Sequence, residues 1–161
     1  MKINPLFVLI LGIGFILSSC SDKVFYEKID HIDHEVWNID TVLHYEFEIT
    51  DSLQFYNMYI HVRNSVDFET QMFYVFMTTE FPDGFIGKDT LGCIISDPYG
   101  KWTGKGMGRL KDNRFLYKPK VRFAQKGTYK FSVVHGMREE NVKGIADFGM
   151  SLYYYKEDKA R

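Results

Sequence analysis

Along most of this chain apolar and polar residues alternate with a period of two, the spacing of strands that bury one face. In 41–50, Leu43, Tyr45, Phe47 and Ile49 stand against His44, Glu46 and Glu48. After a break at Asp51-Ser52 the alternation resumes over 55–64, with Tyr56, Met58, Ile60 and Val62 opposite Asn57, Tyr59, His61 and Arg63. Asn64-Ser65-Val66-Asp67 is the next turn. Within 68–81 the run 72–77 is apolar on both faces, which predicts a central strand covered from both sides, or at least one lying in the thick of a sandwich. No capping residue precedes it, and Thr78-Thr79 continues the β-branched character toward Pro82-Asp83-Gly84, so a helix is disfavoured there.

A further strand is expected over 89–96, followed by the turn Asp97-Pro98-Tyr99-Gly100. In 100–109, Gly100, Gly104, Gly106 and Gly108 all sit on even positions. An extended segment would turn them to one face and leave a bare strip against which Trp102 packs. Pro119 interrupts the strand over 115–123, and a residue that cannot donate to the ladder predicts an edge or bulged strand. Gln125-Lys126-Gly127 turns into 128–135, where Tyr129, Phe131, Val133 and His135 share a face. The segment 136–141 is the one stretch that suits a helical turn. Residues 145–156 close the domain, with Ala146, Phe148, Met150, Leu152 and Tyr154 facing one way. About eight strands with turn signals between them predict an all-β chain, an antiparallel β-sandwich of jelly-roll-like or immunoglobulin-like type. Trp37 is expected to close one end of its core.

The amino-terminal segment has a different pattern. Lys2 is followed by twelve apolar residues over 6–17 and then by Leu17-Ser18-Ser19-Cys20. The run has the length of a signal-peptide core and falls short of the roughly 20 residues that span a bilayer. Small residues before a cysteine fit a narrow peptidase site, and the thiol is what takes a thioether-linked diacylglycerol. The segment therefore reads as a lipobox with Cys20 as the lipidated first residue of the mature chain. The organisation expected is a lipoprotein signal peptide over 1–19, a tether over 20–35 within which Val24-Phe25-Tyr26 could add a short edge strand, the sandwich over 36–157 and a frayed tail over 158–161.

Composition adds limits. The net charge of -1 becomes about -2 once Lys2 is removed, and no basic stripe is present, so nucleic acid is not an expected partner. With 14 Phe and 11 Tyr the chain has aromatic mass enough for a strand-built core. Of two cysteines, Cys20 is committed to lipid, and Cys93 in Leu91-Gly92-Cys93-Ile94-Ile95 reads as a buried thiol. His31-x-x-His34 beside Asp30 and Asp33 lacks a locally spaced third metal ligand. His44, His61 and His135 fall on three separate strands, and the glycines of 100–108 match neither nucleotide-loop pattern. No catalytic, metal or cofactor site is expected, and no enzymatic activity. Tyr59, Tyr99, Tyr117 and 153–155 exceed what one core face absorbs. Such a surplus serves either protein contact or sugar stacking, with Trp102, Tyr153 and Tyr155 as the candidate surface.

The lipobox, Trp37, Val62-Arg63-Asn64, the Phe-Pro-Asp-Gly of 81–84, Asp89-Thr90 and Gly100-Lys101-Trp102-Thr103-Gly104-Lys105-Gly106 occur in an order that resembles the gliding-motility lipoprotein GldH family of Bacteroidetes. The likeness covers nearly the whole mature chain. Its most specific part is the Asp-x-x-Gly-Lys-Trp-x-Gly-x-Gly pattern from Asp97 to Gly106, and 87–91 is its second anchor. The resemblance implies a lipid-anchored cell-envelope protein, on the outer or inner membrane and facing the periplasm. It further implies a non-enzymatic scaffold or stabilising factor whose partners are envelope proteins of a gliding or secretion assembly. A glycan-binding module is the alternative. The only site the resemblance carries over is Cys20.

Overall fold

The computed structural model describes residues 23–156, so the leader, Cys20 and the tail lie outside the described residues. Ten strands follow in order: β1 (Val24–His31), β2 (Val36–Asn38), β3 (Leu43–Ile49), β4 (Phe55–Ser65), β5 (Met72–Glu80), β6 (Ile86–Ile94), β7 (Leu110–Arg122), β8 (Gly127–His135), β9 (Asn141–Lys143) and β10 (Ile145–Tyr154). They form two antiparallel four-stranded sheets, β1-β10-β4-β7 and β3-β8-β5-β6, with the short pair β2-β9 beside them. The inner faces carry the residues that the alternation selected: Tyr45, Phe47 and Ile49 from β3, Tyr56 to Val62 at every second position of β4, and Tyr129, Phe131 and Val133 from β8 are all buried. The fold is an all-β antiparallel sandwich. Among the described residues no helix is long and apolar enough to cross a membrane.

Three large rings centre the core. Trp37 is fully buried, its Nε1 donating to the Thr41 carbonyl at 2.9 Å, with Phe148 and Phe73 at centroid distances of 5.2 and 5.8 Å. Cys93 is also buried, and desolvation pushes its thiol up to about 12. β10 lies between β1 and β4, so it is buried almost throughout from Ile145 to Leu152.

β7 is the edge strand that Pro119 demanded. Its register against β4 shifts twice between Tyr56 and Tyr59, and Lys120 has a positive φ of 45°. There the Asn57 side chain replaces the missing ladder partner by accepting the Lys120 amide at 2.9 Å. The open side between β7 and β6 is closed by Tyr117, whose hydroxyl donates to Asp89 at 2.5 Å. That bond holds the Asp89 carboxyl below the usual carboxylate range.

Four expectations are corrected. The stretch assigned to a tether, 20–35, contains β1, which pairs with β10 from Val24 to His31, so the folded domain begins at Val24 and not at residue 36. β1 reads as aperiodic because its register slips between Val24 and Tyr26, and because Lys28 faces the margin of the sandwich. Its Nζ reaches the His44 carbonyl at 2.7 Å. β5 is central in its sheet, yet it is covered on one face only, with Tyr74 and Phe76 pointing to solvent. The glycine-rich stretch is a loop held by isolated bridges from Ser96 to Trp102 and from Lys105 to Asp112, rather than an extended strip. Gly106, at φ 130°, shows why: the loop turns back through backbone angles that a side chain would resist. Finally, 136–141 is not helical. It leads into β9, and the only helical turn described is the 3-10 turn Asp33–Glu35.

Candidate functional site

A cavity of about 630 Å³ lies on the outer face of the β1-β10-β4-β7 sheet, lined by Ile29, His61, Arg63, Arg114, Asp112 and Asp147 among others. It arises from register. β10 sets Asp147 against His31 on one side and Arg63 on the other, and β4 sets Arg63 against Asp112 of β7. One row across all four strands therefore alternates in sign. His31 Nδ1 lies 2.9 Å from Asp147 Oδ1, while Arg63 donates to Asp147 Oδ2 at 3.2 Å and to Asp112 Oδ1 at 2.5 Å. The bond to Asp147 raises the His31 pKa above its ordinary value.

In the next row Gly149 lies between Ile29 and His61. A Cβ at Gly149 would come within 2.7 Å of Ile29 Cγ1 and 2.8 Å of the Lys28 carbonyl, so the floor of the recess must be bare backbone. His61 Nε2 lies 2.6 Å from Ser151 Oγ, and burial lowers its pKa, which keeps the ring neutral at neutral pH. Ser151 is fully buried, so its hydroxyl holds the imidazole in place and meets no solvent. Arg114, opposite His61 on β7, places its guanidinium carbon 3.8 Å from the centroid of Tyr59 and 4.4 Å from that of Tyr153, and the Tyr153 hydroxyl donates to Glu27 at 3.0 Å.

The glycine-rich loop walls this groove through Thr103 and Lys105. It is moored by Asn113, a buried residue whose amide donates to Asn64 Oδ1 at 2.9 Å and to the Val62 carbonyl at 3.2 Å. Its Oδ1 accepts the Thr103 hydroxyl at 3.0 Å. Upstream, Asp97 Oδ1 accepts the amides of Tyr99 and Lys101, both at 2.9 Å, which explains the aspartate at the head of the Asp-x-x-Gly-Lys-Trp pattern.

A second surface covers the outer face of the other sheet. Tyr74, Phe76 and Ile94 are 42, 51 and 52% exposed on adjacent strands. Gly92 stands opposite Tyr74, and Gly136 packs beneath Phe76, so these rings lie over bare backbone.

The residues singled out from sequence do not converge. Trp102 is half-buried and packs on the core, while Tyr153 and Tyr155 are half-buried near the opposite end of the sandwich, under Arg114 and Lys120 respectively. His31 turns to Asp147 and His34 adopts a positive φ of 55°, and among the described residues no group of three or more His, Cys, Asp or Glu could hold a metal ion. His44, His61 and His135 face three different environments: Ser132, Ser151 and the Glu140 carbonyl. Sequence reading missed the His31-Asp147-Arg63-Asp112 row. Each member is a wet-face residue of its own strand, and only their equal depth in the sheet makes them one feature.

Fold and surfaces together define a small antiparallel sandwich whose polar outer groove holds a row of paired charges and whose opposite sheet exposes Tyr74 and Phe76. A family model described as GldH lipoprotein matches residues 24–152, from the first strand to near the end of the last. The chain belongs to the GldH lipoprotein family. Among curated relatives, a protein of Christiangramia forsetii named gliding motility lipoprotein GldH homolog is 31% identical over 144 residues, covering 85% of this chain and 88% of the relative. The gliding motility lipoprotein GldH of Flavobacterium johnsoniae is 27% identical over 159 residues, covering 94% and 98%.

Proposed function

We propose that this chain is a lipid-anchored protein of the cell envelope, held through Cys20, that serves a gliding-motility or related secretion apparatus by binding and stabilising protein partners rather than by catalysis. The family membership and the names of the relatives support the envelope location and the link to motility. The observation that carries the contact role is the outer face of the β3-β8-β5-β6 sheet, where Tyr74, Phe76 and Ile94 form an exposed apolar patch. Patches of this kind on a small domain mark sites of protein association. The sugar-stacking reading calls for Trp102 or Tyr153 and Tyr155 on one flat exposed face, and their half-buried, separated positions favour the protein-contact reading instead.

Two experiments test the proposal. In cells, Cys20→Ala should move the protein out of the membrane fraction; a variant that stays there would remove the anchor from the reading. A photo-crosslinking residue at Phe76 should capture an envelope protein, whereas one at Lys143 on β9 should not. Equal capture at both positions, or none at Phe76, would refute the partner surface.

A further inference from the structure

Exposed apolar side chains occur at both ends of the sandwich: Leu53 and Phe85 at one, Tyr99 and Met107 at the other. Exposure alone therefore does not choose between the ends. The length of the chain does. Lys23 is already fixed in the fold, its carbonyl accepting the Tyr154 amide at 3.0 Å. Two residues, Ser21 and Asp22, lie between it and Cys20, so the three steps from Cys20 to Lys23 span at most about 11 Å when fully extended. The polar zone on each side of a bilayer is roughly 5–8 Å thick. With the lipid on Cys20, the end of the sandwich around Lys23 is held within about one headgroup-layer thickness of the bilayer and is the end that faces it.

We infer that this end is a second membrane-contact surface, seated on the headgroups of an anionic bilayer and inserting Leu53 and Phe85. The inference rests on the reading of Cys20 as the lipidated residue. Two turns at this end are built alike. Asp51 Oδ1 accepts the Leu53 amide at 2.9 Å, and Asp83 Oδ1 accepts the Phe85 amide at 3.0 Å. Each aspartate folds onto its own backbone and leaves a large apolar residue at the tip, Leu53 at 75% and Phe85 at 65% exposure. The turns are tied into the same end as the tether: the Tyr155 amide donates to the Phe55 carbonyl at 2.9 Å, and Gln125 donates to Asp83 at 2.9 Å.

Around the tips runs a belt in which cations lie on aromatic rings. Lys23 is 4.9 Å from the centroid of Tyr154, Lys120 is 5.0 Å from that of Tyr155, and Arg122 is 5.9 Å from that of Phe55. Lys126 adds a further charge on the adjoining turn. Aromatic rings with Lys and Arg beside them are the composition that suits a membrane interface, where apolar bodies enter the headgroup layer and cations meet lipid phosphate. The loop of Tyr99 and Met107 also carries Lys101, Lys105 and Lys111, but among the described residues these cations make no ring contact, and Arg109 is paired with Glu35 and Asp67.

The test uses the full-length, lipidated protein with single cysteines introduced as Leu53→Cys, Phe85→Cys or Met107→Cys and labelled with nitrobenzoxadiazole. Cys93 is buried with a thiol pushed up to about 12, so it resists labelling, and a lipidated Cys20 has no free thiol. The proteins are reconstituted into vesicles of phosphatidylethanolamine and phosphatidylglycerol, and flotation is measured beside the emission of the label and its quenching by spin-labelled lipid. The expected result is flotation of all three, with emission at 53 and 85 shifted to the blue and quenched while the label at 107 stays aqueous. Flotation with 53 and 85 as aqueous as 107 would overturn the contact surface and leave the anchor standing. Failure to float would overturn the anchor, and the contact surface with it.

Discussion

Replacing Trp37 by Ala should cost this domain about 4 kcal/mol of folding stability. Trp37 belongs to the three-residue strand β2, yet its ring is fully buried against Phe73, Phe148 and His135, which come from β5, β10 and β8. Truncation would leave a cavity among side chains on three strands of two sheets. Trp and Phe truncations in packed cores cost about 3–5 kcal/mol, and a site walled by rigid strands lies toward the upper half of that range because it cannot collapse. The lost bond to the Thr41 carbonyl adds little, since Thr41 is exposed and water can replace the donor. For a domain of this size about 4 kcal/mol corresponds to a fall of roughly 12–16 °C in Tm, a large part of the 5–15 kcal/mol a domain usually has. Trp37→Phe keeps a ring in place and should cost about 1–2 kcal/mol. Urea unfolding followed by far-ultraviolet circular dichroism reads the midpoint without interference from the fluorescence of Trp102. A loss below about 1.5 kcal/mol for the alanine variant, with the slope of the transition unchanged, would refute the placement of Trp37 at the centre of the core.

Other predictions follow from single contacts. Gly144 has a φ of 87°, and a Cβ there would meet the Phe68 amide nitrogen at 2.7 Å, so Gly144→Ala should destabilise by about 3 kcal/mol or more, against about 1 kcal/mol for Gly108→Ala, where φ is 81° and the space is open. Similar losses by urea titration at the two positions would contradict the close approach. Asn113→Ala should cost about 2–3 kcal/mol by orphaning buried partners and should raise hydrogen exchange over 103–108 specifically; an unchanged loop would show that Asn113 does not moor it. Burial lowers the pKa of His61 below its ordinary value of 6.5, so unfolding takes up a proton as the pH falls through that value and stability should drop from pH 7 toward pH 5. His135 acts in the same direction and His31, raised by Asp147, acts against it, so His61→Gln should flatten the decline without abolishing it. Identical pH slopes for parent and variant would discount the burial of His61.

The sheet-forming segments were legible because each has a wet face and a greasy one, and a period of two records that directly. Pro119 announced the bulged edge and Asp97-Pro98-Tyr99-Gly100 the turn for the same reason: the constraint lies in the residue itself. The local signal fails where a strand lacks one consistent dry face. β1 shows this, with its slipped register and Lys28 reaching across the margin to His44. β5 shows the converse, since an apolar run on both faces does not reveal whether a second layer covers the outer one.

By itself the sequence determined the period, the turns, the composition of the core and the likeness to an envelope lipoprotein family, because these depend on neighbours a few residues apart. Which wet-face residues meet was decided only by the tertiary structure. His31, Arg63, Asp112 and Asp147 lie far apart along the chain, and only the pairing of four antiparallel strands puts them in one row. The exposure of Tyr74 and Phe76, and the gathering of Leu53, Phe85 and Lys23 at one end, have the same origin. Local preference sets what a segment becomes, and the register and stacking of segments set what it touches.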